Sequence, residues 1–256
     1  MRCSLLDSLV WLYPDSETGP HPCRSTVLDV ARGGTAAVTI LVNGAIPGRP
    51  IRLALSPAPG GWTAYRLVDV SVERNTGIDA FCEPEGQVNP HVTRRAPFRV
   101  FDAMEPVDAA GFKATAATQA IRIHVPVPRT ARPGVRRLAC TVTHGDDEAV
   151  LGIRVVLHAA RLPPTGAESF PYTNWYHVDH MATRHGLQPW SEAHWRMIRR
   201  YADLMHRGRQ NAFLIPLAHV FTRTEKGAPE LNRRRLRRWV KTFTDAGLHY
   251  IEGGHF

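Results

Sequence analysis

The sequence predicts a multidomain protein of the β plus α/β class. We expect an N-terminal antiparallel β-sandwich over residues 1–160, followed over residues 161–256 by the first three βα units of an incomplete (β/α)8 barrel. Three observations support this fold class. The 256 residues are 43% hydrophobic, which is enough for packed cores and too apolar for a disordered chain. The 20 prolines and 20 glycines are typical of turn-rich β structure, and the spacing of apolar residues changes near residue 160.

The first 160 residues contain short runs in which apolar and polar residues alternate. This alternation predicts strands with one buried face. The runs cover residues 36–42, 51–55, 65–72, 121–127, 137–143 and 149–157. Turn sequences separate them, at 43–44, 131–134 and 144–147, and no helical pattern intervenes. An antiparallel β-sandwich is the simplest arrangement for such strands.

Residues 162–164 (Leu-Pro-Pro) predict a rigid linker, after which strand and helix patterns alternate. Residues 169–177 predict a strand that leads into a polar and aromatic loop. Ser191 is the predicted N-cap of a helix that continues to Arg207 and ends at Gly208. The apolar residues of this helix share one face: Trp195, Ile198, Tyr201, Ala202 and Met205.

The rest of the chain repeats this alternation. Residues 211–217 predict a short buried strand, an arginine-rich helix ends at 246–247, and residues 248–252 predict a third strand. Strands separated by helices of this length pair in parallel as βαβ units. A complete (β/α)8 barrel has about 250 residues. We therefore expect residues 161–256 to form its N-terminal part, truncated after the third strand.

Arginine supplies most of the positive charge. There are 32 Lys and Arg residues against 23 Asp and Glu residues, a formal net charge of +9. The densest basic run covers residues 233–238, and apolar residues recur through it at helical spacing: Leu231, Leu236, Trp239, Val240 and Phe243. This spacing favours a helix with one solvated basic face over a nucleic-acid surface, which would need several basic clusters with exposed aromatics. We expect no nucleic-acid partner.

The N-terminal segment and the cysteines bear on location. Asp7 interrupts a short apolar stretch and no small-residue cleavage site follows, so we expect no secretory signal and a cytoplasmic protein. No apolar run approaches the roughly 20 residues of a membrane helix, so we expect no membrane partner. The four cysteines form no C-x-x-C pair, which predicts buried free thiols: Cys3, Cys23, Cys82 and Cys140.

Three segments carry a resemblance to a known family. Residues 170–176 (Phe-Pro-Tyr-Thr-Asn-Trp-Tyr) follow the proline-rich hinge, residues 125–135 run into an Ala-x-Pro-Gly turn, and residues 7–15 (Asp-Ser-Leu-Val-Trp-Leu-Tyr-Pro-Asp) lie near the N-terminus. In these segments the chain resembles the glycoside hydrolase family 123 group, whose catalytic domain was long catalogued as a domain of unknown function. The resemblance extends over the whole chain.

The resemblance implies an activity for the complete protein. It implies retaining hydrolysis of N-acetyl-β-galactosaminide-type bonds, assisted by the acetamido group of the substrate. Family members use an adjacent Asp-Glu pair on a later barrel strand, in which the Asp orients the acetamide and the Glu is the acid/base. The one such adjacency here is 146–148 (Asp-Asp-Glu), in a predicted hairpin turn. We therefore expect no catalytic residue in this chain, and negligible turnover by the chain alone.

Site residues of a barrel lie at the carboxyl ends of its strands. Aromatic rings there stack on sugar faces, and carboxylate or imidazole groups bind hydroxyls. The residues that we expect to bind substrate are Trp175, Tyr176, His177, Asp179 and Glu252. The alternative is that the aromatic residues pack at a strand end and the histidines bind backbone carbonyls. This alternative is favoured for His219 and His255, and Arg223 is a weaker candidate.

Two further possibilities concern metals and binding without catalysis. The spacing of His177, Asp179 and His180, with His185 and His219 beyond, raises a metal site, but no H-E-x-x-H helix or repeated ligand pair supports it. We expect no metal and no cofactor. The alternative function is a non-catalytic carbohydrate-binding or interaction module, and the sequence does not predict an oligomeric state.

Overall fold

The computed structural model describes residues 1–108, 110–223 and 228–254. The chain divides into two compact units, Met1–Leu162 and Pro163–Phe256. Each unit has its own hydrophobic core. No helix in the described ranges is long and apolar enough to cross a membrane.

The N-terminal unit is built from two five-stranded sheets, with strand orders β1-β3-β8-β5-β6 and β2-β10-β9-β4-β7. The strands are β1 (Arg2–Asp7), β2 (Ser25–Arg32), β3 (Thr35–Asn43), β4 (Pro50–Ser56), β5 (Thr63–Val72), β6 (Phe98–Val107), β7 (Phe112–Lys113), β8 (Thr118–Pro126), β9 (Gly134–His144) and β10 (Asp147–Arg161). The inner faces of the two sheets supply the main core, for example Val38 and Ile40 from β3 and Leu151 and Ile153 from β10.

Strand β3 is buried along most of its length because both of its faces are covered. Leu41 of β3 faces away from the main core and packs with Leu12 and Phe101 in a second cluster. The segment that carries Leu12 is fixed over this face, since the Phe101 N–H donates to the Leu12 carbonyl at 2.8 Å. A strand covered on both faces loses the polar alternation of a half-buried strand.

The prediction that these strands are all antiparallel is wrong. β10 pairs with β2 in parallel, from Gly152↔Ser25 to His158↔Ala31. These strands are far apart in the sequence, so no tight turn forces them to run in opposite directions. The sequence also did not predict β1, β2, β6 or β7, whose pairings depend on distant segments.

The C-terminal unit contains four helices and four short strands in its described part: α1 (Val178–Arg184), α2 (Glu192–Arg207), β11 (Ala212–Ile215), α3 (Leu217–Val220), β12 (Phe221–Arg223), β13 (Pro229–Leu231), α4 (Arg233–Thr244) and β14 (Tyr250–Gly253). β11 and β14 pair in parallel, and β12 and β13 form an antiparallel hairpin.

Helix α2 confirms its predicted caps, α2 and α4 both confirm the predicted apolar spacing, and α4 has a cap that the sequence analysis did not predict. The Ser191 hydroxyl accepts the His194 N–H at 3.2 Å and Gly208 is the C-cap of α2. The side chain of Asn232 accepts the Arg235 N–H at 2.9 Å and caps α4. α4 buries Trp239 and Phe243 and exposes Arg233, Arg234 and Arg237. Full burial of one such side chain contributes about 1.5–3 kcal/mol.

The predicted fold class, with three βα units of a (β/α)8 barrel, is wrong. The described chain is mostly β, and the β11–β14 pair is the one parallel pair of its C-terminal unit. Residues 169–177, the predicted first strand, form no strand. Pro171 has no N–H to donate. Between the described backbones of this segment and residues 211–212, the hydrogen bonds are those that the N–H groups of Asn211 and Ala212 donate to the Tyr172 carbonyl.

Candidate functional site

The candidate site lies in the C-terminal unit, and buried Asn211 connects the segments that form it. Its side-chain oxygen accepts the Tyr172 N–H at 2.8 Å. Its amide donates to the carbonyls of Gly166 and Ser169 at 2.9 and 3.1 Å, and to the Ser169 hydroxyl at 2.9 Å. Its own carbonyl accepts the N–H of Tyr250, the first residue of β14, at 3.0 Å. Asn211 therefore holds residues 166–172 beside the two parallel strands.

This arrangement brings together two of the predicted substrate-binding residues. The indole N–H of Trp175 donates to both carboxylate oxygens of Glu252, each at 3.1 Å. Glu252 lies in β14 opposite Leu214 of β11. The Trp175 side chain is 62% exposed, whereas Glu252 is half-buried. The pair thus presents an accessible aromatic surface next to a carboxylate whose position is fixed.

Tyr176 supports this pair from the core side. Its hydroxyl donates to the Leu214 carbonyl at 3.2 Å and accepts the indole N–H of Trp239 at 3.1 Å. Its ring stacks on Phe243 with 5.6 Å between the centroids. Burial raises the pKa of the Tyr176 phenol well above its usual value. Both hydrogen bonds of its hydroxyl are made within the protein, so Tyr176 positions the segment that carries Trp175.

His177 and Asp179, the other two predicted residues, are exposed at the start of α1. The ring of His177 lies 4.9 Å from that of His180, centroid to centroid. The Asp179 carboxylate lies 3.6 Å from Nε2 of His219, which is an ion-pair distance rather than a close hydrogen bond. The structure places Asp179 next to His219, a residue for which the sequence favoured a purely structural role.

An aromatic and basic cluster surrounds His219. Its ring lies 5.7 Å from that of Trp190 and 6.4 Å from that of Trp239. The guanidinium of Arg235 stands 4.2 Å from the centre of the Trp190 ring and donates to the His219 carbonyl at 2.6 Å. The backbone N–H of Trp190 donates to Nδ1 of buried His194 at 3.0 Å, and burial lowers the pKa of His194. These contacts fix His219 in place.

The remaining sequence candidates lie elsewhere. His255 and the side chain of Arg223 lie outside the residues that the structure describes. In the N-terminal unit, Asp147 accepts a hydrogen bond from the N-terminal ammonium at 2.7 Å, which lowers the pKa of its carboxyl, at the hairpin between β9 and β10. His185 bonds instead to the hydroxyl of Tyr201 at 3.1 Å.

Metal and thiol chemistry are limited among the described residues. They contain no group of three or more His, Cys, Asp or Glu side chains that could hold a metal ion. All four cysteines are free thiols, but the prediction that they are buried is wrong for two of them: Cys3 and Cys140 are buried, whereas Cys23 and Cys82 are exposed. Burial raises the pKa of Cys3 to about 11 and that of Cys140 to about 12, so these thiols stay protonated at neutral pH.

Sequence reasoning missed Asn211, Trp190 and Arg235. Asn211 precedes a buried strand, and a polar residue at that position has no distinctive spacing. Arg235 belongs to a basic run that predicts a solvated face, and only the fold shows that it contacts Trp190. These roles depend on contacts between segments that are distant in the sequence.

No protein-family model matches the chain, and no curated protein matches it. Among solved structures, the chain is similar to a family 123 glycoside hydrolase from Clostridium perfringens, described in work on glycolipid glycan hydrolysis. The TM-score is 0.71 at 11% identity, over 98% of this chain and 48% of that one. This likeness is a distant structural relationship and shows a glycosidase-like fold alone. The chain spans about half the length of that structure.

Two other solved structures are much less similar. A GspB Siglec domain aligns with 99% of this chain and 97% of its own at 10% identity, with a TM-score of 0.28. The CooA pilin subunit from enterotoxigenic Escherichia coli aligns with 63% of this chain and 99% of its own at 14% identity, with a TM-score of 0.25. No inference follows from either.

Proposed function

We propose that this chain belongs to a glycoside hydrolase-like protein and that its C-terminal unit binds the sugar of a β-linked amino-sugar glycoside. The observation that carries the proposal is the contact between Trp175 and Glu252. It combines an exposed indole surface with a fixed carboxylate at the ends of two parallel strands. The glycosidase-like fold supports the choice of a carbohydrate ligand.

The chemistry of the pair suits a sugar. The C–H groups of a pyranose are apolar and pack against an aromatic face, whereas its hydroxyls need hydrogen-bond acceptors. A carboxylate has about four lone-pair sites, so Glu252 keeps acceptor capacity when it binds the Trp175 N–H. His177 and Asp179, which are exposed and follow Trp175 closely in the chain, are the further polar residues of the proposed site, and Tyr176 holds the Trp175 segment in place.

We propose hydrolysis as the activity of the whole protein and binding as the activity of this chain. The proposed reaction is substrate-assisted cleavage of an N-acetyl-β-galactosaminide-type bond. Glycolipid glycans, the class associated with the Clostridium perfringens structure, are one candidate source of such bonds. The adjacent Asp-Glu pair of this chain lies in a hairpin at the N-terminal ammonium, so we assign no catalytic residue.

The alternative function is a non-catalytic carbohydrate-binding or interaction module. The position of residues 146–148 favours it, because the one adjacent Asp-Glu pair of the sequence lies at the β9–β10 hairpin, where Asp147 accepts a hydrogen bond from the N-terminal ammonium. Hydrolysis and carbohydrate binding both require the sugar contact at Trp175. The two proposals differ in whether the whole protein hydrolyses the sugar that it binds.

Calorimetric titration with methyl N-acetyl-β-D-galactosaminide tests the binding proposal. We expect Trp175→Ala to weaken binding at least about tenfold, the effect of removing an aromatic contact. Trp11→Ala is the matched control, because Trp11 is 64% exposed but belongs to the N-terminal unit. Its binding should equal that of the wild type. Absence of binding by the wild-type chain, or equal loss in both variants, would refute the proposal.

An aryl N-acetyl-β-galactosaminide tests the assignment of no catalytic residue. We expect residues 1–256 to release the aryl alcohol no faster than buffer does. Rapid release that survives Asp147→Asn would show that this chain contains acid/base groups that we have not assigned.

A further inference from the structure

The N-terminal unit has a cavity of about 310 Å³ at one end of its two sheets. Its rim includes four prolines from two loops and one strand end: Pro57, Pro59, Pro126 and Pro128. The volume falls at the lower end of the range for small-molecule sites, roughly 300–1,000 Å³. The cavity lies in a part of the molecule that the proposed sugar site does not use.

The inner end of this cavity is the hydrophobic core. Val125 of β8 lies on one side, and Val155 and Leu157 of β10 lie on the other, so the two sheets enclose it together. All three side chains are buried and belong to the main core cluster. An apolar cavity of this kind holds water poorly, because water finds few polar partners there. It therefore favours an apolar occupant.

The mouth of the cavity carries a positive charge at an unusual position. In β9, Leu138, Cys140 and Val142 face the core. Arg136 is two residues before Leu138 and therefore lies on the same inward face, since side chains alternate along a strand. Its partner in β10 is Val155. An arginine thus stands where the alternation would place another core residue.

The Arg136 guanidinium has more N–H donors than its hydrogen bonds within the protein use. It donates to the carbonyls of Arg132 and Val135 at 3.3 and 3.4 Å, both long hydrogen bonds. No carboxylate of the described residues forms an ion pair with it. A guanidinium has five N–H donors in a planar fork that matches a carboxylate.

We propose that this end of the sandwich binds an amphiphilic anion, with an alkyl chain in the cavity and a carboxylate on Arg136. Charge complementarity selects this occupant over a neutral alkyl compound. Burial of the chain supplies affinity in proportion to the apolar area removed from water, and the bidentate contact to Arg136 supplies selectivity for the acid.

Calorimetric titration of the full chain with decanoate, 1-decanol and acetate tests the proposal. We expect decanoate to bind about tenfold more tightly than 1-decanol, and acetate not to bind. Arg136→Gln should weaken decanoate binding about tenfold and leave 1-decanol unchanged. Arg154→Gln is the matched control, because Arg154 is an exposed arginine on the facing strand that does not line this cavity, and it should bind like the wild type.

A second variant tests the cavity itself. Ala131 lines it from a loop, so Ala131→Phe should fill it and weaken binding of both decyl compounds without change in the thermal midpoint. Three results would overturn the proposal: no saturable decanoate binding by the wild type, equal affinity for decanoate and 1-decanol, or unchanged decanoate binding by Arg136→Gln.

Discussion

Asn211→Ala should destabilise the C-terminal unit and release the segment that carries Trp175. Asn211 is fully buried and accepts one hydrogen bond, from Tyr172, while its two amide hydrogens are shared by three acceptors in residues 166–169. We count three effective hydrogen bonds, at about 0.5–1.5 kcal/mol each. The expected loss in unfolding free energy is therefore about 1.5–4.5 kcal/mol.

Urea unfolding followed by tryptophan fluorescence measures this loss. Four of the six tryptophans (Trp175, Trp190, Trp195 and Trp239) belong to the C-terminal unit, so the signal reports mainly on it. Asn174→Ala is the control, because Asn174 is an exposed asparagine of the same segment. We expect it to change the stability by less than about 0.5 kcal/mol.

Sugar binding by the Asn211→Ala variant is a second measurement of the role of Asn211. If Asn211 holds the Trp175 segment, Asn211→Ala should weaken sugar binding under conditions in which the unit is still folded. A loss of stability below about 1 kcal/mol, comparable to one ordinary hydrogen bond, would refute the role of Asn211 as the residue that connects these segments. Unchanged sugar binding in the folded variant would refute its role in the site.

Three further predictions concern caps, turns and thiols. Asn232→Ala removes the side-chain cap of α4 and should lower the stability of the C-terminal unit by about 1 kcal/mol in urea unfolding; no change would contradict the capping role. Gly111 and Gly48 both have φ of +83°, but a Cβ at Gly111 would lie 2.1 Å from the Ile51 carbonyl oxygen, whereas at Gly48 it would meet open space. In urea unfolding, Gly111→Ala should therefore lower the unfolding free energy by about 1–3 kcal/mol more than Gly48→Ala does, and equal effects would refute the steric argument. Because burial raises the pKa values of Cys3 and Cys140 to about 11 and about 12, these thiols favour folding below their ordinary pKa, and this contribution is lost as the pH rises above about 9. We expect a thiol reagent at pH 8 to label Cys23 and Cys82 rapidly and the other two only after unfolding; rapid labelling of all four would contradict this.

Local signals were read correctly from the sequence. Ser191 and Gly208 mark the ends of α2, and the apolar spacing through residues 231–243 places Trp239 and Phe243 in the core. These features depend on residues within one or two turns of each other, so a sequence contains what is needed to predict them.

Non-local pairing was predicted poorly. The parallel pairing of β2 with β10 joins residues more than a hundred positions apart, and no local pattern encodes it. Residues 169–177 have the composition of a strand, but Pro171 and the side chain of Asn211 replace a strand ladder with a few tethering hydrogen bonds. The predicted βα units failed at this point, because strand propensity is decided by the neighbouring chain.

Sequence analysis named residues of the candidate site but not the contact between them. Trp175 and Glu252 were both named from the sequence, but the indole–carboxylate contact joins positions 77 residues apart. Arg136 was missed although a local pattern predicts its orientation. The predicted strand covered residues 137–143, whereas β9 begins at Gly134 and includes Arg136.

The measurement that tests the central claim most directly is a nuclear magnetic resonance titration of the tryptophan indole N–H groups. The chain has six such groups, and Trp175→Phe identifies the signal of Trp175. On addition of methyl N-acetyl-β-D-galactosaminide, we predict a saturable shift of the Trp175 signal, since its N–H bonds to Glu252 beside the proposed sugar surface. The signals of Trp11 and Trp62, in the N-terminal unit, should not move. A Trp175 signal that stays fixed at saturating glycoside would contradict the claim.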